Sequence, residues 1–303
     1  MTNFATGRYG VEHSLGLYAA SYQILPASSI YDDNQLAPLR QTIDRCHIYI
    51  IGWTPRLDFV RMRLEDSILY CDFLVAGKEA SVGRPVPSDA RLVRVDEYWH
   101  IELADGTKRV PNVDAVLEEL CDDVGGLEFE VAYVGQSFGK DGDRSALDRL
   151  RKHETLQKIS LVGQRADRVL QVIMVELDAD TQLFTLFRPD AEDDTTADER
   201  IRAGFDKLYG TTEAERVSLY EAALIRHFEP EFNVHFKNTF PSTNLKLLQD
   251  CYDKDFSGLV AEFIFEKFMF RLGSKKVRFS KEVSARFDLH EEDDRTMFFG
   301  LER

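Results

Sequence analysis

From His47 to Val110 the chain is a succession of short runs rich in β-branched and aromatic residues, several of them bounded by turn residues. That pattern suits strands and leaves little room for helix. The spacing predicts strands over His47–Trp53, Leu57–Leu64 and Ser67–Val75. Gly83, Pro85 and Pro87 predict a loop over Ala80–Asp89, and Arg91–Leu103 and Thr107–Val110 flank Asp105-Gly106, a hairpin turn pair. A short helix is expected over Leu36–Cys46, and residues 1–35 carry no readable period. Residues 1–112 therefore read as a β-rich N-terminal module.

After residue 112 the period changes. Val113–Cys121 reads as a short amphipathic helix ended by Gly125-Gly126, Leu127–Val134 as a strand and Arg144–Ile159 as a helix. Arg168–Leu177 and Gln182–Phe187 read as strands, Pro189–Glu199 as an acidic loop, and Thr212–Phe228 as a helix opened by the capping-box spacing Thr212-x-x-Glu215. The order strand, helix, strand, strand, helix predicts a small α/β module over 113–240. Residues 241–303 read as a mixed C-terminal extension, with a helix near Leu259–Phe270, short strands and the acidic patch Glu291–Asp294. The expected class is α/β in the α+β sense.

At 303 residues the chain can bury a full core without staples. It holds no run of 18 apolar residues, so no membrane span is expected, and its start lacks the basic region and apolar run of a secretory signal. Cys46, Cys71, Cys121 and Cys251 are scattered without a C-x-x-C pair, which excludes a zinc ribbon and suggests a reducing cytoplasm. The net charge of −15 argues against a surface that coats nucleic acid throughout. The charge is uneven, however. Residues 133–170 carry eight Lys/Arg against five acids, and residues 171–200 carry nine acids against two arginines. A positive island in an acidic chain suits an anion site, and equally a solvated helix face.

Three features carry chemistry. Val217, Leu224, Ile225 and Phe228 form the apolar stripe of the 212–228 helix, and Glu221 falls on the same side. A carboxylate there must be paired with a buried arginine, snorkel, hold a metal, or sit at the lip of a cleft. Arg149 and His153 are four residues apart on the predicted 144–159 helix. A fixed cation beside an imidazole suits a phosphate, although surface charge explains a lone R-x-x-x-H as well. Third, Tyr133 precedes Gly135 at a strand end, where its hydroxyl would sit beside a sharp turn.

Taken in order, Tyr133-Val134-Gly135-Gln136-Ser137, Arg149-x-x-x-His153, Glu221-x-x-Leu224-Ile225 and Pro230-x-Phe232-Asn233 resemble the GIY-YIG endonuclease superfamily. The resemblance covers Leu127 to about Asn233. It implies a small three-stranded sheet flanked by helices that hydrolyses phosphodiesters, DNA foremost, with one divalent ion, Mg²⁺ or Mn²⁺. It implies further that Glu221 holds the metal, Arg149 steadies the phosphate, Tyr133 lies at the nucleophile, His153 serves as base or phosphate contact, and Asn233 props the site. Bacterial genome defence or DNA processing is the setting implied, and a homodimer or protein partner would be needed to cut both strands. The other reading is a catalytically inactive module of the same fold that binds nucleic acid or protein.

The family's first signature, G-I-Y, is expected about ten residues before Tyr133, where Cys121–Leu127 holds no tyrosine. Tyr98 is too distant without an insertion, and Tyr49-Ile50-Ile51-Gly52 imitates the second signature. The first tyrosine is therefore missing or supplied from elsewhere in the chain. Other motifs fall away. Gly135-Gln136-Ser137-Phe138-Gly139-Lys140-Asp141 has the wrong spacing for a P-loop, and His227 and His235 lack the H-E-x-x-H spacing. The acidic runs lack the ligand alternation of an EF-hand, and Phe265, Phe268 and Phe270 read as core.

Overall fold

The computed structural model describes residues 8–290 apart from 97, 124, 139–145, 164, 189–190, 236 and 238–245. The acidic patch Glu291–Asp294 and the first two residues of the predicted helix Arg144–Ile159 lie outside the described residues. The chain opens with the long strand β1 (Val11–Pro26), two 3-10 turns and the single-turn helices α1 (Asp33–Leu36) and α2 (Arg40–Ile43). Six strands follow: β2 (Ile48–Pro55), β3 (Leu57–Glu65), β4 (Ile68–Val75), β5 (Lys78–Pro85), β6 (Arg91–Val95) and β7 (Tyr98–Glu102). After β8 (Lys108–Arg109) come α3 (Val113–Asp123), β9 (Leu127–Gln136), α4 (Ala146–Leu150), α5 (Glu154–Val162), β10 (Arg168–Leu177) and β11 (Gln182–Phe187). The chain continues with α6 (Ala197–Gly210), α7 (Glu213–Phe228), α8 (Lys246–Asp253), β12 (Gly258–Phe263), β13 (Phe270–Gly273) and β14 (Val283–Asp288). No described helix is long and apolar enough to cross a membrane. The four cysteines are buried thiols.

The class is mixed α/β, but the sheet is larger than the small one the resemblance implies. The described residues form an eight-stranded, nearly closed sheet in the order β13-β9-β2-β10-β1-β12-β14, with β11 on the same edge of β1 as β10. It draws strands from all three segments separated in sequence, 1–112, 113–240 and 241–303. Within it, β9, β2 and β10 are adjacent and antiparallel, and α4 and α5 fall between β9 and β10 in the chain. One face packs on α7 through Val217, Leu224 and Phe228, and the other on α4 and α5 through Leu147, Leu150 and Ile159. Between β2 and β9 the chain makes an excursion: two three-stranded sheets, β3-β4-β5 and β6-β7-β8, and α3, which packs Val116 and Leu120 on Cys71, Phe73 and Val82.

Several expectations are corrected. The predicted loop Ala80–Asp89 is mostly β5; it is an edge strand, where Gly83 and a terminal Pro85 are tolerated. The predicted helix Leu259–Phe270 is β12, a loop and β13. β12 pairs on both edges, with β1 and β14, and a strand buried this way reads as an unbroken apolar run that mimics a buried helix. The predicted helix Arg144–Ile159 breaks at Arg151-Lys152, and His153 is the N-cap of α5. The predicted loop Pro189–Glu199 ends in the first turn of α6.

α6 is built inside out. Arg200 and Lys207 point inward at 8 % and 2 % exposure, while Phe205 and Tyr209 stand outward at 50 % and 82 %. Gly204 lets the helix lie against His13, whose Nε2 would be 2.7 Å from a Cβ there. Arg200 donates to Glu12 at 2.9 Å, Asp255 at 2.6 Å and the carbonyl of Val11 at 2.6 Å, and Ser257 donates to Glu12. Lys207 pairs with Asp250. Removing one member of a buried ion pair strands the other. Arg200→Ala is therefore expected to lower stability by about 3–5 kcal/mol, against less than ~0.5 kcal/mol for Tyr209→Ser on the outer face. Urea unfolding midpoints check this, and equal effects of the two would contradict it.

Candidate active site

The site begins with the pairing of β2 and β9. Tyr49 lies opposite Gly135 and Ile51 opposite Tyr133, and the register then slips, so that Gly52 faces Val131. This bulge at Ala132 turns Tyr133 to the sheet face of Tyr49, while Val131 stays in the opposite core. Gly135 is required by its partner: a Cβ there would lie 2.5 Å from Tyr49 Cζ, 2.6 Å from its hydroxyl and 2.7 Å from Tyr133 Cε1. The two rings stack, with centroids 6.1 Å apart and an interplanar angle of 24°.

The outer edge of β9 loses its strand partner after Glu130, where β13 ends. Asn233 replaces it. Its amide accepts from Val134 N–H at 2.9 Å and donates to Val134 C=O at 2.8 Å, and the Phe232 N–H donates to Ala132 C=O at 3.1 Å. Asn233 is thus a one-residue substitute for a strand, buried at 6 % exposure. Asn233→Ala leaves both groups of Val134 unpaired and is expected to lower stability by about 2–4 kcal/mol, measured by urea unfolding.

α7 brings Glu221 to the end of β9. The helix starts as the sequence predicts, with Thr212 and Glu215 closing a reciprocal capping box, and the stripe Val217, Leu224, Ile225 and Phe228 is buried. Gln136, the last residue of β9, donates to the Glu221 carboxylate from its side chain and from its backbone N–H. Burial nonetheless pushes the Glu221 carboxyl up to about 7, opposed by those hydrogen bonds and by Arg149. The Gln136 amide also meets Ser218, one turn before Glu221, at 3.4 Å.

Arg149 sits at the exposed end of α4 and donates to the Tyr49 hydroxyl, which in turn is bonded to that of Tyr133. Burial raises both phenols; the charge of Glu221 adds to the rise at each. His153 packs edge-on to Tyr49, with centroids 5.7 Å apart, and tilted against Tyr133 at 5.1 Å. Its pKa is lowered by burial and then by Arg149, and its Nδ1 is buried with no hydrogen-bond partner among the described residues. The sequence spacing predicts that Arg149 and His153 share one helix face; the helix breaks between them instead, and both reach the two tyrosines from either side of the break.

Sequence reasoning missed Tyr49. Its strand is legible, but the run Tyr49–Gly52 reads as a copy of the second signature. A first tyrosine is sought about ten residues before Tyr133, whereas the excursion over β3–β8 and α3 places it on the neighbouring strand, far back in sequence. Gln136 was missed as a functional side chain, because a strand-end glutamine has no distinguishing spacing.

Among the described residues no group of three or more His, Cys, Asp or Glu converges as a ready metal cage. Glu221 is one hard carboxylate donor with amide donors behind it. Such a donor suits Mg²⁺ or Mn²⁺, which keep several waters and take remaining ligands from a phosphate. It does not suit zinc, which takes three or four protein ligands.

No protein-family model, curated protein or solved structure matches this chain.

The raised carboxyl of Glu221 has a consequence for stability. The folded state holds this proton more tightly than the unfolded chain, so its contribution is intact below about pH 4.5 and is lost as pH rises through about 7. In the absence of divalent ions, Glu221→Gln is expected to be more stable than wild type at pH 8, by up to about 3 kcal/mol, and similar to it near pH 4. Thermal unfolding at the two pH values checks the sign; a Gln variant less stable at pH 8 would contradict it.

Proposed function

We propose that the chain is a metal-dependent endonuclease of the GIY-YIG type that hydrolyses phosphodiesters in DNA. The single observation that carries this reading is the meeting of Tyr49, Tyr133, Arg149, His153 and Glu221 at one end of the β2–β9 pair. These are residue types that phosphoryl transfer uses, drawn from five separate elements. Tyr49 ends the run His47-Ile48-Tyr49, which differs from G-I-Y at its first residue. Its stacking on Tyr133 gives a candidate for the first signature tyrosine, which supports the enzyme reading over an inactive binding module.

In this reading Glu221 would hold the ion, with Gln136 orienting the carboxylate. A divalent ion, when bound, polarises a phosphoryl oxygen and offsets the charge that builds up in the transition state. Arg149 is an exposed residue whose guanidinium can contact two phosphate oxygens at once and hold the scissile group in line. Water attacks phosphorus, and the P–O bond to the leaving nucleotide breaks. The water proton needs a nearby base. His153 is mostly neutral at pH 7 because burial and Arg149 hold its pKa down, so its imidazole can accept that proton directly or through the Tyr133 hydroxyl. Tyr49, bonded to Arg149 and Tyr133, fixes the relative position of cation and nucleophile. The low exposure of Tyr49 and His153, 1 % and 7 %, limits the rearrangement needed during reaction.

One such site cuts one strand, so cutting both strands would take a homodimer, a protein partner or two encounters. We place the activity in the cytoplasm, in genome defence or DNA processing; the four buried free thiols accord with a reducing compartment. The test is cleavage of supercoiled plasmid in Mg²⁺ or Mn²⁺. Wild type is expected to nick, Glu221→Ala to lose at least about a hundredfold in rate, and Tyr49→Phe and Arg149→Ala to lose about ten- to a thousandfold. Silence of the wild type on DNA and RNA alike, or full activity in Glu221→Ala, would overturn the reading.

A further inference from the structure

A cavity of about 440 Å³ lies beside the candidate active site, bounded by β9, the C-terminal end of α5, the segment after α7 and the turn between β13 and β14. Ala132 and Phe232 line it, and their chain neighbours Tyr133 and Asn233 belong to the site. Its charges do not balance. Each of its three carboxylates already has a cation: Arg165 donates to Glu130 at 2.7 Å, Lys275 pairs with Glu231, and Lys276 pairs with Glu229. Arg226 adds a second bond to Glu229 at 3.3 Å.

Lys237 is left over. Among the described residues its ammonium meets only the backbone carbonyl of Glu231, at 3.3 Å. Burial, then the neighbouring charge of Lys276, lowers its pKa, against the opposing pull of Glu229 and Glu231. A half-buried ammonium that no carboxylate pairs directly gains from a nearby anion, and the cavity is wide enough to admit one beside Lys237 and Lys276. Ser274 at the rim adds a hydroxyl. The lining carries one more cation than carboxylates, in a chain of net charge −15.

We infer that this cavity is a phosphate-binding pocket built around Lys237 and Lys276, and that the phosphate it takes is the backbone of the strand being cut. The identity of that phosphate rests on the nuclease reading above; the pocket's preference for phosphate does not. The position fits. Glu130 and Tyr133 are three residues apart on β9 with the bulge at Ala132 between them, at most about 10 Å at ~3.3 Å per residue, a span of up to three nucleotides at ~3.4 Å of axis each. The pocket holds the substrate strand a fixed distance from Arg149 and Glu221, and the turn of the C-terminal extension thereby joins the substrate-binding surface.

The experiment uses the full chain carrying Lys237→Gln and Lys276→Gln together. The first arm measures binding of a labelled DNA duplex without divalent ions, in the Glu221→Gln background so that no cleavage intervenes. The double variant is expected to bind about tenfold more weakly at ~0.1 M salt, and the slope of log affinity on log salt should fall by about two. Lys108→Gln with Arg109→Gln, on the exposed β8 that does not line the cavity, is the control and is expected to change neither value. The second arm measures the thermal shift given by inorganic phosphate, which should stabilise wild type and not the double variant. Loss of the phosphate shift with unchanged DNA affinity assigns the pocket to a free phosphate. No change in either arm, or an equal loss of DNA affinity in the β8 control, overturns the proposal. A wild type that never cleaves nucleic acid defeats the nuclease reading while leaving the phosphate arm readable.

Discussion

The candidate site depends on one antiparallel contact, that between β2 and β9. It sets Tyr49 opposite a glycine that leaves room for its ring, and a one-residue slip beyond it turns Tyr133 to the same face. Asn233 then closes the outer edge of β9 where no strand continues, so Val134 keeps both backbone bonds. With β9 held from both sides, Gln136 is fixed at its end, and Gln136 is what meets the Glu221 carboxylate. Each later element adds a side chain to a frame already set: α4 the guanidinium, the cap of α5 the imidazole, and α7 the carboxylate.

Much of this was legible in the sequence. The capping box and apolar stripe of α7 predict both the helix and the inward side of Glu221, because helix periodicity and cap chemistry are local. β10 and β11 match their predicted ranges for a similar reason: alternation and turn residues bound them. Tyr49 was not legible as a site residue. Its pairing with β9 is non-local, and the intervening sheets hide it from any rule based on sequence spacing. The break between α4 and α5 was also hidden, since nothing in Arg149–His153 forbids a continuous helix. The order of strands in the sheet is non-local throughout, which is why three apparent segments share one sheet.

β1 and α6 illustrate a second source of illegibility. β1 buries Glu12, His13 and Ser14 where a core strand is expected to bury apolar residues, and α6 turns Arg200 and Lys207 inward and two aromatic rings outward. Each segment alone breaks the binary pattern. Together they satisfy each other, through Arg200 with Glu12 and through His13, whose ring nitrogens bond to Thr185 at 3.0 Å and to the carbonyl of Arg200 at 2.8 Å. Such a network stabilises little compared with an apolar core of the same volume, but it penalises any other pairing of these segments strongly. The half-buried Glu221 follows the opposite logic: among the described residues it is held by amide donors without a direct ion pair, and its ionisation costs stability, which in the proposed reading a bound ion would offset.

In the proposed reading a divalent ion binds at Glu221, near the two stacked tyrosines. The most direct measurement is a Mn²⁺ titration of protein with ¹³C-labelled tyrosine rings, followed by nuclear magnetic resonance, with Tyr49→Phe and Tyr133→Phe used to assign the two signals. Selective broadening of the Tyr49 and Tyr133 rings that disappears in Glu221→Gln is the predicted result. Broadening that survives in Glu221→Gln, or that falls on other tyrosines and spares this pair, would contradict the account.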